Sequence, residues 1–321
     1  MAMEDKIMKK LITLVLALAL VAVASFACAE SFKVGIVQLV QHEALDAATQ
    51  GFKDKLTELL GDSVTFDEQN ASGDTAACST IVNGFLSEGV DLIFANATPA
   101  LQAAVAATGD IPVLGTSITS YGVALGIEMN DADGTGINVS GTSDLAPLDG
   151  QADMIKELFP DATTVGLIYC SAEANSQYQV DTIRGYLEAL GYACSDYAFA
   201  DSNDLASVTQ LAADNCDVLY IPTDNTAAAY TETIANVVIP AGKPVVVGEE
   251  GICRGCGVAT LTISYYDIGT ATGEMANEIL ANGADVSTMA IQFAPQFVKK
   301  YNAANAEALG IVIPDGYEAL E

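Results

Sequence analysis

The hydrophobic positions of this chain fall into two alternating patterns. Short apolar runs such as residues 34–39 indicate buried parallel strands. Longer stretches such as residues 44–60, in which apolar residues recur on one face, indicate amphipathic helices. Residues 33–117 give the order strand, helix, strand, helix, strand, helix, strand, and residues 163–249 repeat it. Within the repeat, residues 226–239 are predicted to form one helix. Such alternation predicts parallel sheets with right-handed crossovers.

The repeat is also visible residue by residue. Lys33-Val-Gly-Ile-Val37 corresponds to Thr164-Val-Gly-Leu-Ile168, and Val90-Asp-Leu-Ile-Phe94 corresponds to Cys216-Asp-Val-Leu-Tyr220. The correspondence extends over half of the chain, so we interpret it as an internal duplication. Two similar lobes built from one unit would leave a cleft between them. The predicted fold class is therefore α/β, with two Rossmann-like lobes that each contain a parallel sheet.

We predict that the chain passes from one lobe to the other three times. The three connecting segments would form a hinge about which the lobes close. The passages are expected near residues 143–147, 264–268 and 287–291. Lobe one would then consist of residues 31–144 and 265–289, and lobe two of residues 145–264 and 290–321.

Residues 1–29 have the pattern of a signal peptide. Two lysines precede a run of apolar residues and one threonine, residues 11–23, that is too short for a stable membrane span. Small residues at the end of the segment favour cleavage after Ala29. Alternatively, cleavage before Cys28 would leave a cysteine that carries a lipid. Both readings predict a protein that works outside the cytoplasmic membrane, in the periplasm or on the membrane's outer face.

The charge balance excludes one class of partner. The chain has 321 residues and a formal net charge of -30, so it would repel the phosphate backbone of a nucleic acid. Half of its residues are apolar, which is typical of a globular protein. We expect a monomer.

The cysteines point to no metal or redox chemistry. Cys253 and Cys256 form the only close pair, and a Gly-rich turn is predicted around them. They could form a small-loop disulfide or remain two free thiols. The other cysteines after the signal peptide lie on apolar strand or helix positions, where cysteine is usually a small core residue.

Open parallel sheets bind ligands at the carboxyl ends of their strands. The segments that follow the predicted strands are rich in hydroxyl, amide and carboxylate groups. Thr98 precedes a predicted helix, where a role in binding a carboxylate and an ordinary N-cap role would both fit. Asp224 could pair with an ammonium group or cap the next helix. The candidate ligand-binding residues are His42, Thr98, Ser117, Thr119, Ser143, Asp144, Asn175, Ser176, Asp224, Asn225 and Glu249.

No catalytic residue is predicted. His42 is the single histidine, and no serine or cysteine nucleophile accompanies it in a recognisable motif. The sequence also has no phosphate-binding loop of the Walker or dinucleotide type and no cluster of metal ligands. We therefore expect neither a cofactor nor a metal.

Several of these segments together resemble one family. The chain is similar to bacterial ABC-transporter substrate-binding proteins of the type I periplasmic-binding fold, in the group associated with tryptophan and phenylalanine uptake. The resemblance covers essentially all of the chain after the signal peptide. Departures occur at Gln41, at Glu43 and in residues 249–253, all of them in the expected cleft lining. The resemblance rests on Val34-Gly-Ile-Val-Gln-Leu-Val40, Ala97-Thr-Pro99, Gly141-Thr-Ser-Asp144, Glu173-Ala-Asn-Ser176 and Pro222-Thr-Asp-Asn225.

The resemblance implies a ligand held between the lobes and passed to an ABC permease in the membrane. The leading hypothesis is a receptor without enzymatic activity for a small zwitterion such as an amino acid. Tyr121, Tyr178 and Tyr265 are candidates to line a pocket for an aromatic side chain. The alternatives are a sensor domain that feeds a signalling partner, a receptor for another small polar solute such as a sugar or nucleobase, and an exported enzyme.

Overall fold

The first half of the described chain forms the larger part of lobe one. The computed structural model describes residues 31–320, so the predicted signal peptide and Cys28 lie outside the described residues. Lobe one contains β1 (Phe32–Gln38), α1 (Glu43–Leu60), β2 (Val64–Asn70), α2 (Thr75–Glu88), β3 (Leu92–Asn96), α3 (Thr98–Ala107), β4 (Val113–Ile118), α4 (Tyr121–Leu125) and β5 (Val139–Ser143).

Lobe two repeats the alternation, and a final segment returns to both lobes. Lobe two contains α5 (Leu148–Leu158), β6 (Thr164–Cys170), α6 (Ala174–Ala189), β7 (Ala193–Phe199), α7 (Ser202–Asn215), β8 (Val218–Ile221), α8 (Asn225–Ala229), α9 (Thr231–Val238), β9 (Val245–Val247), α10 (Glu250–Gly255) and β10 (Ala259–Thr262). The final segment contains α11 (Tyr265–Leu280), β11 (Gln292–Phe293), β12 (Val298–Tyr301), α12 (Ala303–Leu309) and β13 (Glu318–Ala319).

The two sheets share the order of five strands, β2-β1-β3-β4-β5 in the first and β7-β6-β8-β9-β10 in the second, as expected of a duplication. The first sheet runs β11-β5-β4-β3-β1-β2, and the second runs β13-β12-β10-β9-β8-β6-β7. All pairings in the first sheet are parallel, and in the second only β12 runs antiparallel to its neighbour β10. The central strands are buried on both faces, whereas the edge strands β2 and β7 carry exposed residues. This pattern is that of a parallel sheet with helices on both faces.

Helices α1 and α11 pack closely because glycines line their contact. A Cβ atom on Gly269 would overlap the carbonyl oxygen of Ala48, and one on Gly51 would overlap that of Tyr266. Phe52 of α1 packs beneath them against Phe94, with ring centroids 4.0 Å apart. The close approach fixes the N-terminal ends of both helices, which lead into the cleft between the lobes.

Three predictions about the elements need correction. Strand β11 pairs in parallel with β5, so the third passage lies after Phe293 and not at residues 287–291. The helix predicted at residues 226–239 is interrupted at Tyr230, whose φ of -127° and ψ of 33° are not helical. The apolar periodicity continues through the break, so sequence periodicity could not detect it.

The third correction concerns the Cys253–Cys256 segment, which was predicted to be a turn. Residues Glu250–Gly255 form helix α10, because the carboxylate of Glu249 accepts hydrogen bonds from the backbone N–H groups of Gly251 and Ile252. Cys253 lies inside this helix and Cys256 follows it. Both thiols are free and buried, and burial raises the pKa of Cys256 far above its ordinary value. Of the two alternatives for this pair, the structure contains the free thiols.

The remaining cysteines behave largely as predicted. Cys78, Cys170 and Cys216 are buried, and Cys194 is half-buried. Within residues 31–320, no helix is both long and apolar enough to cross a membrane.

Candidate functional site

The carboxyl ends of the strands in both sheets meet around a cavity between the lobes. Lobe one contributes the loop after β1, the end of β4 and the end of β5. Lobe two contributes the start of α6 and the loops after β8 and β9, and the start of α11 closes the hinge side. The lining residues are His42, Leu45, Ser117, Thr119, Asp144, Asn175, Thr223, Asp224, Asn225, Ala228, Glu249 and Tyr265.

Most of the predicted residues line this cavity, but Thr98, Ser143 and Ser176 do not. Thr98 is the buried first residue of α3. The Ser143 hydroxyl donates to the carbonyl of Thr119 at 3.1 Å, and the Ser176 hydroxyl accepts from the side-chain amide of Asn175 at 3.3 Å. Ser143 and Ser176 therefore form hydrogen bonds with residues that line the cavity but do not line it themselves.

Sequence reasoning did not select Leu45, Thr223 and Ala228, and it named Tyr265 only as a candidate aromatic. Leu45 and Ala228 are apolar residues on helices, where a core position and a cavity position have the same pattern. Thr223 directly precedes Asp224, so its position after β8 could have indicated it. Tyr265 is the first residue of α11, and its hydroxyl donates to Asp144 at 2.9 Å.

The other two candidate tyrosines lie elsewhere. Tyr121 is buried in lobe one, where its hydroxyl donates to the carbonyl of Gly115 at 2.9 Å. Tyr178 is half-buried on α6 and does not line the cavity.

Three buried carboxylic side chains converge on the cavity. Asp144 accepts hydrogen bonds from Tyr265 and, at 3.4 Å, from the Thr119 hydroxyl, and burial raises its pKa to about 6. Burial also raises the pKa of Glu249, to about 7. For Asp224, burial and then the nearby charge of Glu173 raise the pKa. Within residues 31–320 no lysine or arginine lines the cavity. The wall therefore favours a ligand that carries positive charge or several N–H donors.

Asp224 combines a capping role with its place in the wall. One carboxylate oxygen accepts from the backbone N–H of Ala227 at 2.8 Å, so Asp224 caps α8. The other accepts from the backbone N–H of Cys170 at 2.6 Å. Both interpretations made from the sequence are thus compatible, because each oxygen retains a second lone pair.

Unsatisfied polar atoms also line the cavity. For His42 Nδ1, Ser117 Oγ and Asn175 Oδ1, no hydrogen-bond partner lies within reach among the described residues, although all three atoms are buried. Such atoms cost free energy unless a ligand or solvent pairs with them. Burial also lowers the pKa of His42, so its imidazole is held in the neutral form.

The backbone is strained beside this wall. Ser117 has a φ of 56° and Ala97, which precedes α3, has a φ of 89°, both in a region that non-glycine residues rarely adopt. The backbone N–H of Ala97 donates to the carbonyl of Thr116 at 3.1 Å, which holds the start of α3 next to Ser117. Ala97 has no side-chain acceptor to cap α3. Backbone strain of this kind persists where function requires a set geometry.

Direct contacts between the lobes enclose the cavity. His42 Nε2 of lobe one lies 3.4 Å from Asn225 Oδ1 of lobe two. Gln179 of α6 donates to the Thr119 hydroxyl at 3.3 Å. The lobes are therefore closed upon one another. In the described part of the chain, no group of three or more histidine, cysteine or acidic side chains is arranged to hold a metal ion.

Comparison with known proteins identifies similar chains. Residues 33–319 match the family described as ABC transporter substrate binding protein. A tyrosine-binding protein of Clostridioides difficile strain R20291 is 35% identical over 250 residues, which cover 77% of this chain and 72% of that protein.

Solved structures show the same fold. The ABC domain from Streptococcus pneumonia in complex with L-Trp is 31% identical and superposes with a TM-score of 0.85, covering 90% of this chain and 100% of that one. The ligand-free, open structure of a substrate-binding protein with adhesive properties from Clostridium difficile is 34% identical, with a TM-score of 0.68 over 90% of this chain and 99% of that one. The score is lower for the open structure despite the higher identity, which agrees with the closed lobes of this chain.

Proposed function

The chain belongs to the ABC transporter substrate-binding protein family, and we propose that it captures a free aromatic amino acid between its lobes for an ABC permease. Proteins of this family bind small-molecule ligands outside the cytoplasmic membrane and work with a membrane permease. The lobes would close around the ligand, and the permease would bind this closed, ligand-bound conformation. The ligand leaves chemically unchanged in this proposal.

The observation that carries the proposal is the chemistry of the enclosed cavity. Asp144, Asp224 and Glu249 bring three carboxylic groups to this cavity, and acceptors of His42 and Asn175 that have no partner among the described residues also line it. An ammonium group has three N–H donors and a positive charge, so it satisfies such a wall. A sugar would leave the buried carboxylates without a countercharge.

The negatively charged carboxylate of an amino acid also has a binding partner, at the N-terminus of α3. The backbone N–H groups at the start of α3 carry the positive end of the helix dipole, and Ala97 cannot cap them with its side chain. Ser117 lies beside this helix start, and its hydroxyl has no hydrogen-bond partner among residues 31–320. We infer that the ligand's carboxylate points toward Ser117. Thr98 would then act through the helix it begins.

The side chain of the ligand is proposed to be aromatic. Leu45, Ala228 and the ring of Tyr265 are the apolar surfaces of the cavity. The similar protein from Clostridioides difficile is named for tyrosine, and the similar structure from Streptococcus pneumonia holds L-Trp. These names support the choice of ligand.

Isothermal titration calorimetry with L-Tyr, L-Trp and L-Phe tests the proposal. L-Leu, L-Glu, glucose and adenine serve as comparison ligands. We expect at least one aromatic amino acid to bind with a dissociation constant at least about tenfold below those of the comparison ligands, a difference of about 1.4 kcal/mol. Equal binding of leucine would refute the aromatic preference, and absence of binding by every amino acid would refute the function.

The state of the chain at the membrane is also proposed. We propose a monomer whose residues 1–29 direct export, with either cleavage after Ala29 or a lipid on Cys28. Intact mass measurement of the exported protein distinguishes these two forms, because a lipid on Cys28 adds mass and Ala29 cleavage removes that cysteine.

A further inference from the structure

We propose that Glu173, which does not line the cavity, is a positioning residue that orients Asn175 and Asn225 and, through Asn225, sets the tautomer of His42. The result is a wall that presents hydrogen-bond acceptors to the ligand. The consequence for the ligand rests on the proposed function, whereas the orientation of the side chains does not.

The position of Glu173 is unusual for a carboxylate. It precedes α6, but its carboxylate does not cap the backbone N–H groups of that helix, and the residue is only 4% exposed. Instead, one oxygen accepts from the backbone N–H of Thr226 at 2.9 Å and from its hydroxyl at 2.8 Å. The other accepts from the backbone N–H of Asn225 at 3.0 Å. Glu173 therefore joins the start of α6 to the start of α8.

The same oxygen also fixes two side-chain amides. It accepts from Asn225 Nδ2 at 2.7 Å and from Asn175 Nδ2 at 3.2 Å. A carboxylate surrounded by donors can only accept, so both amides must turn their NH₂ groups toward Glu173. Their carbonyl oxygens then point away from it. Oδ1 of Asn175 is buried without a partner among the described residues, and Oδ1 of Asn225 faces His42.

The orientation of Asn225 determines the protonation of His42. Oδ1 of Asn225 lies 3.4 Å from His42 Nε2. An amide oxygen can only accept a hydrogen bond, so Nε2 carries the proton. Burial keeps the imidazole neutral by lowering its pKa. The remaining ring nitrogen, Nδ1, is then an acceptor, and it is one of the buried atoms that find no partner in the described part of the chain.

Glu173 thus determines the polarity of this part of the wall. His42 Nδ1 and Asn175 Oδ1 both require a donor, such as the N–H of an ammonium group, a phenol O–H or an indole N–H. A ligand that brings only acceptors to these atoms would leave them unpaired and would bind weakly. Glu173 therefore contributes to specificity without contact with the ligand.

The Glu173→Gln variant tests this chain of contacts. Glutamine has nearly the same shape but replaces one oxygen by an NH₂ donor, which would face the existing donors of Asn225 or Thr226. The asparagine amides must then rotate or lose their bonds. His42 is the only histidine in the chain, so an imidazole ¹H–¹⁵N correlation spectrum of uniformly ¹⁵N-labelled protein reports its tautomer without ambiguity.

We expect the wild-type protein with L-Tyr bound, in which the lobes are closed, to have the Nε2–H tautomer, and Glu173→Gln in the same state to show a mixture or the Nδ1–H form. The variant should also bind L-Tyr at least about tenfold more weakly. The control is Asp74→Asn, which changes a carboxylate that caps α2 in lobe one and should alter neither tautomer nor affinity. Glu173→Asp, which keeps an acceptor-only group, should restore part of the affinity lost in Glu173→Gln.

Two outcomes would overturn the inference. One is an Nδ1–H tautomer in the wild-type protein with L-Tyr bound, a measurement that does not require the variant to fold. The other is a folded Glu173→Gln protein whose tautomer is unchanged. If no amino acid binds the wild-type protein, the proposed function fails, but the side-chain amide resonances of Asn175 and Asn225 in the free protein still test their contacts with Glu173, because all three residues lie in lobe two. Identical resonances in wild type and Glu173→Gln would overturn the inference.

Discussion

The guanidinium of Arg254 in lobe two binds both carboxylate oxygens of Glu43 in lobe one across the mouth of the cleft. Nε lies 3.0 Å from one carboxylate oxygen, and Nη2 lies 3.0 Å from the other. Arg254 also contacts Glu250 at 2.8 Å, within its own lobe. Glu43 and Arg254 belong to different lobes, so this contact can exist only when the lobes are closed. It therefore contributes free energy to the closed state alone.

The Arg254→Gln variant should weaken ligand binding modestly. Both side chains are partly exposed, and exposed pairs contribute up to about 1 kcal/mol. We expect the dissociation constant for L-Tyr to rise about two- to fivefold, mainly through faster dissociation, as stopped-flow fluorescence can measure. The control is Lys53→Gln, which removes an ion pair with Glu68 inside lobe one and should leave dissociation unchanged. Equal effects of both variants would contradict a role in closure.

The glycine contact between α1 and α11 gives a prediction about stability. Gly269→Ala places a methyl group against the carbonyl of Ala48, so the helices must separate. We expect the free energy of unfolding to fall by about 1–3 kcal/mol in urea denaturation. Gly84→Ala is the matched control, because its methyl group on α2 would meet nothing within 4 Å. That variant should be neutral or more stable by up to about 1 kcal/mol. If both variants lost stability, the cause would be the backbone conformation of the glycines and not the contact between α1 and α11.

The fold could be predicted because its signals are repeated. Periodicity indicated the two α/β series and the duplicated segments indicated two lobes, so a fold of two α/β lobes was correctly predicted. The resemblance implied the type I periplasmic-binding fold, and that prediction is confirmed as well. The resemblance to substrate-binding proteins is likewise confirmed. The carboxyl ends of the strands brought His42, Ser117, Asp144 and Asp224 to one cavity because that end of a parallel sheet is a shared edge.

What the sequence did not reveal depends on contacts distant along the chain. Glu173 was noticed only as part of a family segment, since its partners Asn225 and Thr226 follow about fifty residues later. Cys253 lies in a helix because Glu249 caps that helix. Glutamate is not among the residue types that strongly favour the N-cap position, so the sequence did not indicate this helix start. Leu45 and Ala228 have the pattern of core residues, and only the tertiary structure places them at the cavity.

The buried acids predict how stability depends on pH. The folded pKa values of Asp144 and Glu249, about 6 and about 7, lie above those of the unfolded chain. Between about pH 4 and pH 7 the folded protein therefore binds more protons, so its stability should fall as pH rises. His42 acts in the opposite direction, because its folded pKa is lowered.

We expect the ligand-free protein to melt at a higher temperature at pH 5.5 than at pH 8. Asp144→Asn should reduce this difference, because it removes one of the acids while the hydroxyls of Tyr265 and Thr119 can reorient to bind the amide. Differential scanning calorimetry across this range measures both proteins. A pH dependence that is identical in the variant would show that Asp144 is ionised equally in the folded and unfolded states.

The role of Asp224 can be isolated by changing the ligand together with the protein. Asp224→Ala should weaken L-Tyr binding at least about tenfold, or about 1.4 kcal/mol, because it removes a buried carboxylate from the wall that faces the ammonium group. It also removes the cap of α8, so Asp201→Ala, which removes the cap of α7 in the same lobe, is the control.

The ligand 3-(4-hydroxyphenyl)propionate lacks the ammonium group. If Asp224 pairs with that group, the wild-type protein should prefer L-Tyr over this analogue, and the preference should be much smaller in Asp224→Ala. Calorimetric titration of the three proteins with both ligands gives the coupling free energy. A coupling near zero would mean that Asp224 has only a structural role, through its hydrogen bonds to the backbone of Ala227 and Cys170.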